Sequence, residues 1–158
     1  MRAATVHTIV LLAAFAGLLV SGWAAYESTH PALQGTCTVT AFFSCAAVDT
    51  SGHTTTFGAP DWAIGIGGFV LLIALDVPLY LTWKRPWLLA VTGAASVGLL
   101  TSLYFAYIEL AIIHAFCLVC FSAYVANAVV LAGAVQLLRS GRGGREDDAT
   151  VPARPDAA

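Results

Sequence analysis

The chain divides into long apolar blocks interrupted by short polar stretches. Residues from Ala3 to Tyr26 contain no Asp, Glu, Lys or Arg and predict a first membrane span over about Thr8–Ala25, since a crossing needs about 20 apolar residues. Glu27–Pro60 is mostly polar or small, with Pro31, Gly35, Gly52, Gly58 and Pro60 as breakers, which makes 26–60 a long loop. A second span follows over about Asp61–Trp83, interrupted only by Asp76 and Pro78, and Lys84-Arg85-Pro86 is a turn. From Pro86 to Leu138 the ionisable side chains are Glu109 and His114, besides tyrosines and cysteines. That stretch is too long for one crossing of a hydrocarbon core about 30 Å thick. It folds back near Glu109–His114, giving spans over about Trp87–Ile108 and Ile113–Leu138. The tail, 139–158, is rich in Gly, Arg, Asp and Pro and reads as a disordered segment.

Composition sharpens this picture. In 158 residues, 59% are hydrophobic and only 10% charged, against about 25% charged in a soluble domain. A mean hydropathy of +0.82 excludes a soluble globular protein, and a net charge of −2 offers nothing to a nucleic acid. The fold class is all-α: an integral membrane four-transmembrane-helix bundle, with a long extracytoplasmic loop between helices 1 and 2. With four spans, Arg2, Lys84, Arg85, Arg139, Arg142, Arg145 and Arg154 all fall on one side. The positive-inside rule makes that side cytoplasmic. The expected location is the cell (inner) membrane, with both termini cytoplasmic and the 26–60 loop facing outward. Gly22-Trp23-Ala24 resembles a signal-peptide cleavage site. The apolar stretch before it exceeds the usual signal core of about 7–15 residues, so it is read as a span.

The chemistry rests on four cysteines. Cys37 and Cys45 lie in the outward loop, and Cys117-Leu118-Val119-Cys120 opens the fourth span. All four meet at the oxidising face, where disulfides persist. They could be two structural staples. A four-cysteine zinc site is disfavoured, because zinc pairs are usually separated by two to four residues and the first pair here is separated by seven. The second pair favours redox work. Residues i and i+3 on a helix bring Cβ atoms to about 5–6 Å, just outside the disulfide range of about 3.5–4.5 Å. A small adjustment of the first turn makes or breaks the bond, and a helix N-terminus stabilises a thiolate. Cys120 lies one turn deeper than Cys117, towards lipid. A pair at that boundary can pass electrons from a protein thiol to a lipid-soluble acceptor, with Cys37 and Cys45 exchanging on the outside.

These residues resemble the vitamin K epoxide reductase family in its bacterial, quinone-coupled form. The resemblance lies in Cys37-x₇-Cys45, Val48-Asp49-Thr50-Ser51, Phe57-Gly58-Ala59-Pro60, Cys117-Leu118-Val119-Cys120 and Tyr124, in that order over about Thr8–Leu138. It implies a membrane thiol oxidoreductase. Electrons would pass from a thioredoxin-fold (DsbA-like) partner through Cys37/Cys45 to Cys117/Cys120 and on to a bound quinone: ubiquinone, menaquinone or a vitamin K form or its epoxide. Cys120 would face the quinone with Cys117 as its partner, Cys45 would form the relay disulfide to Cys117, and Cys37 would exchange with the partner's thiols. Ser51 matches a loop Ser/Thr near the site, Tyr124 a tyrosine that hydrogen-bonds a quinone carbonyl, and Phe57 the segment capping the quinone. No metal is implied. Many bacterial members carry a thioredoxin-like domain after a fifth span; here a 20-residue tail stands instead, so the partner is expected in trans. His53 occupies a position often aromatic in the family, and is read as a solvated loop histidine.

A DsbB-like quinone reductase also has four spans, but places its Cys-x-x-Cys in the first outward loop, the reverse of the order here. The alternative from another class is a non-enzymatic membrane protein with two structural disulfides. Asp76 is an intramembrane carboxylate for which pairing with a polar group in the bundle is the preferred reading. His114 suits an ordinary interfacial hydrogen bond. Trp23, Trp62, Trp83 and Trp87 fit aromatic belts at the span ends, and Gly65, Gly67, Gly68, Gly93 and Gly98 suit close helix packing.

Overall fold

The computed structural model describes residues 3–33, 36–53, 55–56 and 58–140. Phe57, Gly35, Arg2 and the tail from 141 on, with Arg142, Arg145 and Arg154, lie outside the described residues. Four long helices dominate: α1 (Ala3–Thr29), α3 (Asp61–Thr82), α4 (Arg85–Tyr107) and α5 (Leu118–Arg139). Between α1 and α3 lie the short helix α2 (Cys45–Asp49) and a two-stranded hairpin, β1 (Thr55–Thr56) with β2 (Ala59–Pro60), paired antiparallel with Thr56 opposite Ala59. Its turn carries Gly58 at φ +80°, a left-handed conformation that favours glycine.

Each long helix packs against two others, in the ring order α1–α3–α4–α5. The centre is apolar, with Val10, Val91, Ala95 and Val130 essentially inaccessible, while Leu12, Leu19, Leu81 and Leu100 point outward. Outward apolar side chains on all four helices, Phe121 and Val125 on α5 among them, suit a lipid solvent, in which backbone polar groups must be satisfied within the helices. The protein is a multi-pass membrane protein with four apolar spans.

The helix ends differ from the sequence expectation in instructive ways. α1 runs past Ala25 to Thr29, so Glu27 belongs to the helix rather than the loop. It is buried at 3% exposure and accepts the Thr36 hydroxyl at 3.0 Å. The reversal between the last two spans also comes later than expected. α4 continues through a π-helical turn, Ile108–Ile113, and the chain reverses over His114–Cys117. His114 takes a left-handed conformation at φ 56°, and the Ala115 N–H closes back on the Glu109 carbonyl at 3.1 Å. At the opposite end Trp83, at φ 50°, ends α3, and Pro86 opens α4 where a missing N–H costs nothing.

The glycine expectation holds in part. A Cβ on Gly65 would meet the Ser21 hydroxyl at 2.7 Å, and one on Gly98 would meet Asn127 Oδ1 at 2.8 Å. Gly67, Gly68 and Gly93 face nothing within 4 Å, so close packing is not their role. Gly17, beneath the Phe69 ring, and Gly133, against Val10, are the close contacts the periodicity did not single out.

Candidate functional site

All four cysteines lie at the loop end of the bundle. A backbone clamp brings them together: the Phe116 N–H donates to the Phe42 carbonyl at 2.7 Å, and the Ser44 N–H to the Phe116 carbonyl at 3.2 Å. This parallel bridge between Phe43 and Phe116 is reinforced by rings, with Phe42 stacked on Phe116 and Phe43 edge-on to it. The residues next along each strand of the clamp are Ser44-Cys45 and Cys117. Ser44 caps α2, its hydroxyl accepting the Ala47 N–H at 3.1 Å, so Cys45 enters a fixed helical turn beside Cys117.

Cys37 and Cys45 form a disulfide with their Cα atoms 5.7 Å apart, and Cys117 and Cys120 are free thiols. The Cys117 and Cys45 sulfurs lie 3.4 Å apart, and the reactive atoms of Cys37, Cys45 and Cys117 all fall within 4.8 Å of one another. Three clustered sulfurs are also the donor set of a metal centre. Two of them are joined to each other, however, and the third sits where a thiolate attacks a disulfide.

The Cys-x-x-Cys pair is built differently from two positions on one helix face. Cys117 precedes α5 in an extended conformation, φ −91° and ψ 115°, as its N-terminal cap. Its sulfur accepts the Cys120 N–H at 3.2 Å. The expected i, i+3 helical spacing of the two cysteines therefore does not apply, whereas Cys120 and Tyr124, both within α5, share a face one turn apart.

Cys120 is half-buried and lines a cavity of about 400 Å³ between the four long helices at this end. The walls are mostly apolar, from Val20, Ile64, Phe69, Val97, Phe105 and neighbours. The polar lining comprises Cys120, Tyr124, Glu109 and Asn127, with Ser21, His53, Asp61, Thr101 and Ser102 at other points of the wall. An apolar slot with a few convergent polar groups is what a flat, lipid-soluble ring with polar edges requires.

Sequence reasoning passed over Glu109. It is 3% exposed, on the π-helical turn, and its two oxygens hold the site together. Oε2 accepts the Cys117 N–H at 3.0 Å, and Oε1 accepts the Tyr124 hydroxyl at 2.8 Å. Cys120 lines the same cavity as Glu109. An acid in an apolar run eight residues before the Cys-x-x-Cys was the available signal. Only the late reversal of the chain turns it onto the cysteines.

The remaining candidates separate. Tyr124 lines the cavity, but its hydroxyl is engaged by Glu109 rather than waiting for a ligand. Ser51 does not line the cavity: its hydroxyl donates to the Val48 carbonyl at 2.7 Å and accepts the His53 N–H at 3.2 Å, which shapes the loop after α2. His53 does reach the cavity wall. His114 is exposed, with Nδ1 3.2 Å from the Leu110 carbonyl oxygen. Phe57 lies outside the described residues. Asp76 is far from this end and pairs with His7, whose Nε2 is 3.1 Å from Oδ1. Outside the membrane segments, the Asp49 carboxyl is pushed above its ordinary range by burial and then by the charge of Glu27.

Residues 8–135 match the vitamin K epoxide reductase family. The match covers most of the chain, and the chain belongs to that family. Among curated proteins none matches it significantly. Membership makes it a membrane oxidoreductase working on thiols, in a family that uses quinones, and the Cys37–Cys45 disulfide beside Cys117 has the arrangement such chemistry needs.

Proposed function

We propose that the protein carries electrons from the thiols of a thioredoxin-fold protein to a membrane quinone, and so supports disulfide formation outside the cytoplasm. The observation that carries this reading is the line of sulfurs: a loop disulfide, Cys117 Sγ at 3.4 Å from Cys45 Sγ, and Cys120 on the wall of an apolar cavity. One end of the line meets the aqueous face and the other meets the membrane interior.

The steps are thiol–disulfide exchanges in which each bond broken is matched by one formed. A partner thiolate attacks the Cys37–Cys45 disulfide at Cys37, and the partner's second thiol resolves the mixed disulfide, leaving the partner oxidised and the loop reduced. Cys45 then attacks a Cys117–Cys120 disulfide at Cys117 and releases Cys120 as a thiolate. Cys37 closes on Cys45 and frees Cys117. The result is a loop disulfide above a Cys117/Cys120 dithiol, the combination in the structure. The quinone is the second substrate and takes two electrons and two protons from that dithiol. Tyr124 and the Cys120 side of the cavity would hold its polar edge. Whether it is ubiquinone, menaquinone or a vitamin K form, and whether an epoxide is accepted, depends on contacts further along the slot. The absence of Lys and Arg from 26–60 supports placing the loop, and so the site, on the outward face.

Two structural disulfides are the competing reading. The free Cys117 and Cys120 beside an existing disulfide favour exchange. The test compares donors. Cys37→Ala should lose quinone reduction with a thioredoxin-fold dithiol donor, yet keep part of it with dithiothreitol, which reaches Cys117–Cys120 directly. Wild-type protein that reduces no extracted or added quinone with either donor would refute the reading.

A further inference from the structure

We propose that Glu109 is a proton carrier that couples oxidation of the Cys117/Cys120 dithiol to the direction in which Tyr124 points its hydroxyl proton. The inference rests on the quinone-coupled reading and assigns the proton route of the same site. It starts from a conflict of roles: Tyr124 lines the cavity, yet its proton is directed at Glu109 Oε1, 2.8 Å away. A phenol has one proton to give. While Glu109 is a carboxylate, that proton is not available to a cavity ligand.

Protonation of Glu109 reverses the bond. A carboxylate only accepts, whereas a carboxylic acid carries one O–H donor. Once protonated, Glu109 donates to the Tyr124 oxygen, and the Tyr124 proton turns to the cavity. The source of that proton is at hand, because Cys120, whose N–H meets the Cys117 sulfur at 3.2 Å, lines the same cavity as Glu109 and Tyr124. Oε2 meanwhile stays on the Cys117 N–H at 3.0 Å, so the carboxyl is anchored while Oε1 changes role.

The balance is as follows. The Cys120 S–H bond breaks, its proton goes to Glu109, and its sulfur supplies electrons to the acceptor. Tyr124 gives its proton to an acceptor oxygen and takes the one on Glu109. The Cys117 S–H proton follows through the same carboxyl as the Cys117–Cys120 bond closes. Two S–H bonds are lost, one S–S bond is gained, the acceptor holds two electrons and two protons, and Glu109 and Tyr124 end as they began. The other titratable groups around this corner come from separate elements: Cys45 on α2 behind Cys117, and His53 and Asp61 on the cavity wall.

Glu109→Gln tests this in the full-length protein, purified in detergent, with a water-soluble ubiquinone analogue and dithiothreitol. Glutamine retains a carbonyl for the Cys117 N–H and an amide to donate to Tyr124, but cannot pick up a thiol proton. The expected result is a kcat lower by about 100-fold, in the range of general acid–base contributions, with KM not raised. Exchange of the loop disulfide and the thermal melt should stay near wild type, and the pH dependence of kcat should flatten. The double variant Glu109→Gln/Tyr124→Phe should be no slower than the slower single variant, as for two members of one relay. Wild-type kcat in Glu109→Gln overturns the proposal, as does a variant that fails to fold, because either outcome leaves the carboxyl only a structural role. Multiplying losses in the double variant overturn it too. Wild-type protein that passes no electrons to the quinone would instead overturn the functional reading itself.

Discussion

Asp76 and Glu109 are both acids buried in apolar helices, and they illustrate two fates for a carboxyl inside a membrane protein. Asp76 sits near the basic end of α3, 1% exposed, with His7 Nε2 3.1 Å from Oδ1. His7, itself 1% exposed, is enclosed by the rings of Tyr80 and Trp83 at 4.9 and 5.6 Å. The pair ties α1 to α3 and lies outside the cavity that Glu109 lines. Glu109, at the loop end of α4, has both oxygens hydrogen-bonded by groups of the reactive corner and one side on the cavity. Intramembrane position is the same for both. On the proposed reading, partners that can exchange a proton, and access to a ligand, would distinguish a functional acid from a staple.

The largest effect is expected at the sulfur that Glu109 faces. Cys120→Ala should abolish quinone reduction with protein and small-thiol donors alike, since it removes one of the two thiols that supply the electrons. Steady-state turnover near wild type with dithiothreitol would place the reacting sulfur elsewhere. Tyr124→Phe should slow turnover by about 10- to 100-fold, matching the loss of a hydrogen bond to a group gaining charge, and leave loop exchange intact. A variant with a lower melting temperature but normal quinone kinetics would make Tyr124 a staple like His7.

The reverse pattern is expected at the other end. Asp76→Leu leaves His7 buried without its partner and should destabilise the fold by about 3–5 kcal/mol, with the kinetics of the folded fraction unchanged. His7→Leu/Asp76→Leu should recover most of that loss, because two apolar side chains need no partner. Denaturation in detergent measures both. Slowed turnover in the well-folded double variant would erase the contrast between the two acids.

The smallest effect concerns a third acid, outside the membrane. Asp49 ends α2, where burial and then the Glu27 charge raise its carboxyl above the ordinary value of 3.8. A raised carboxyl pKa means the fold prefers the protonated form. Its cost is absent below the ordinary value, grows as pH rises towards the folded value, and is complete above it. Asp49→Asn should therefore melt slightly higher than wild type at neutral pH and equally at low pH. Equal melts across the range would show that the repulsion has no weight in stability.

What the sequence determined follows from long-range averages and short-range chemistry. Apolar blocks of about 20 residues can only be spans in lipid, so the four-helix membrane bundle was legible, as was the gathering of the four cysteines at one end of it. The pairing of Asp76 was foreseen without its partner, because His7 lay just before the predicted first span and nothing in one helix's periodicity names a residue on another. Close packing was expected at Gly65 and Gly98 and missed at Gly17 and Gly133; all four meet a side chain of another helix, which no single helix's pattern identifies. Only the tertiary structure decided the rest. The clamp from Phe42-Phe43-Ser44 to Phe116 brings Cys45 to Cys117 across 72 residues of sequence, and the π-helical turn carries the reversal past Glu109. Backbone bonds between distant segments and the rotation added by one wide turn leave no local pattern. They are what aims Glu109 at both Cys117 and Tyr124.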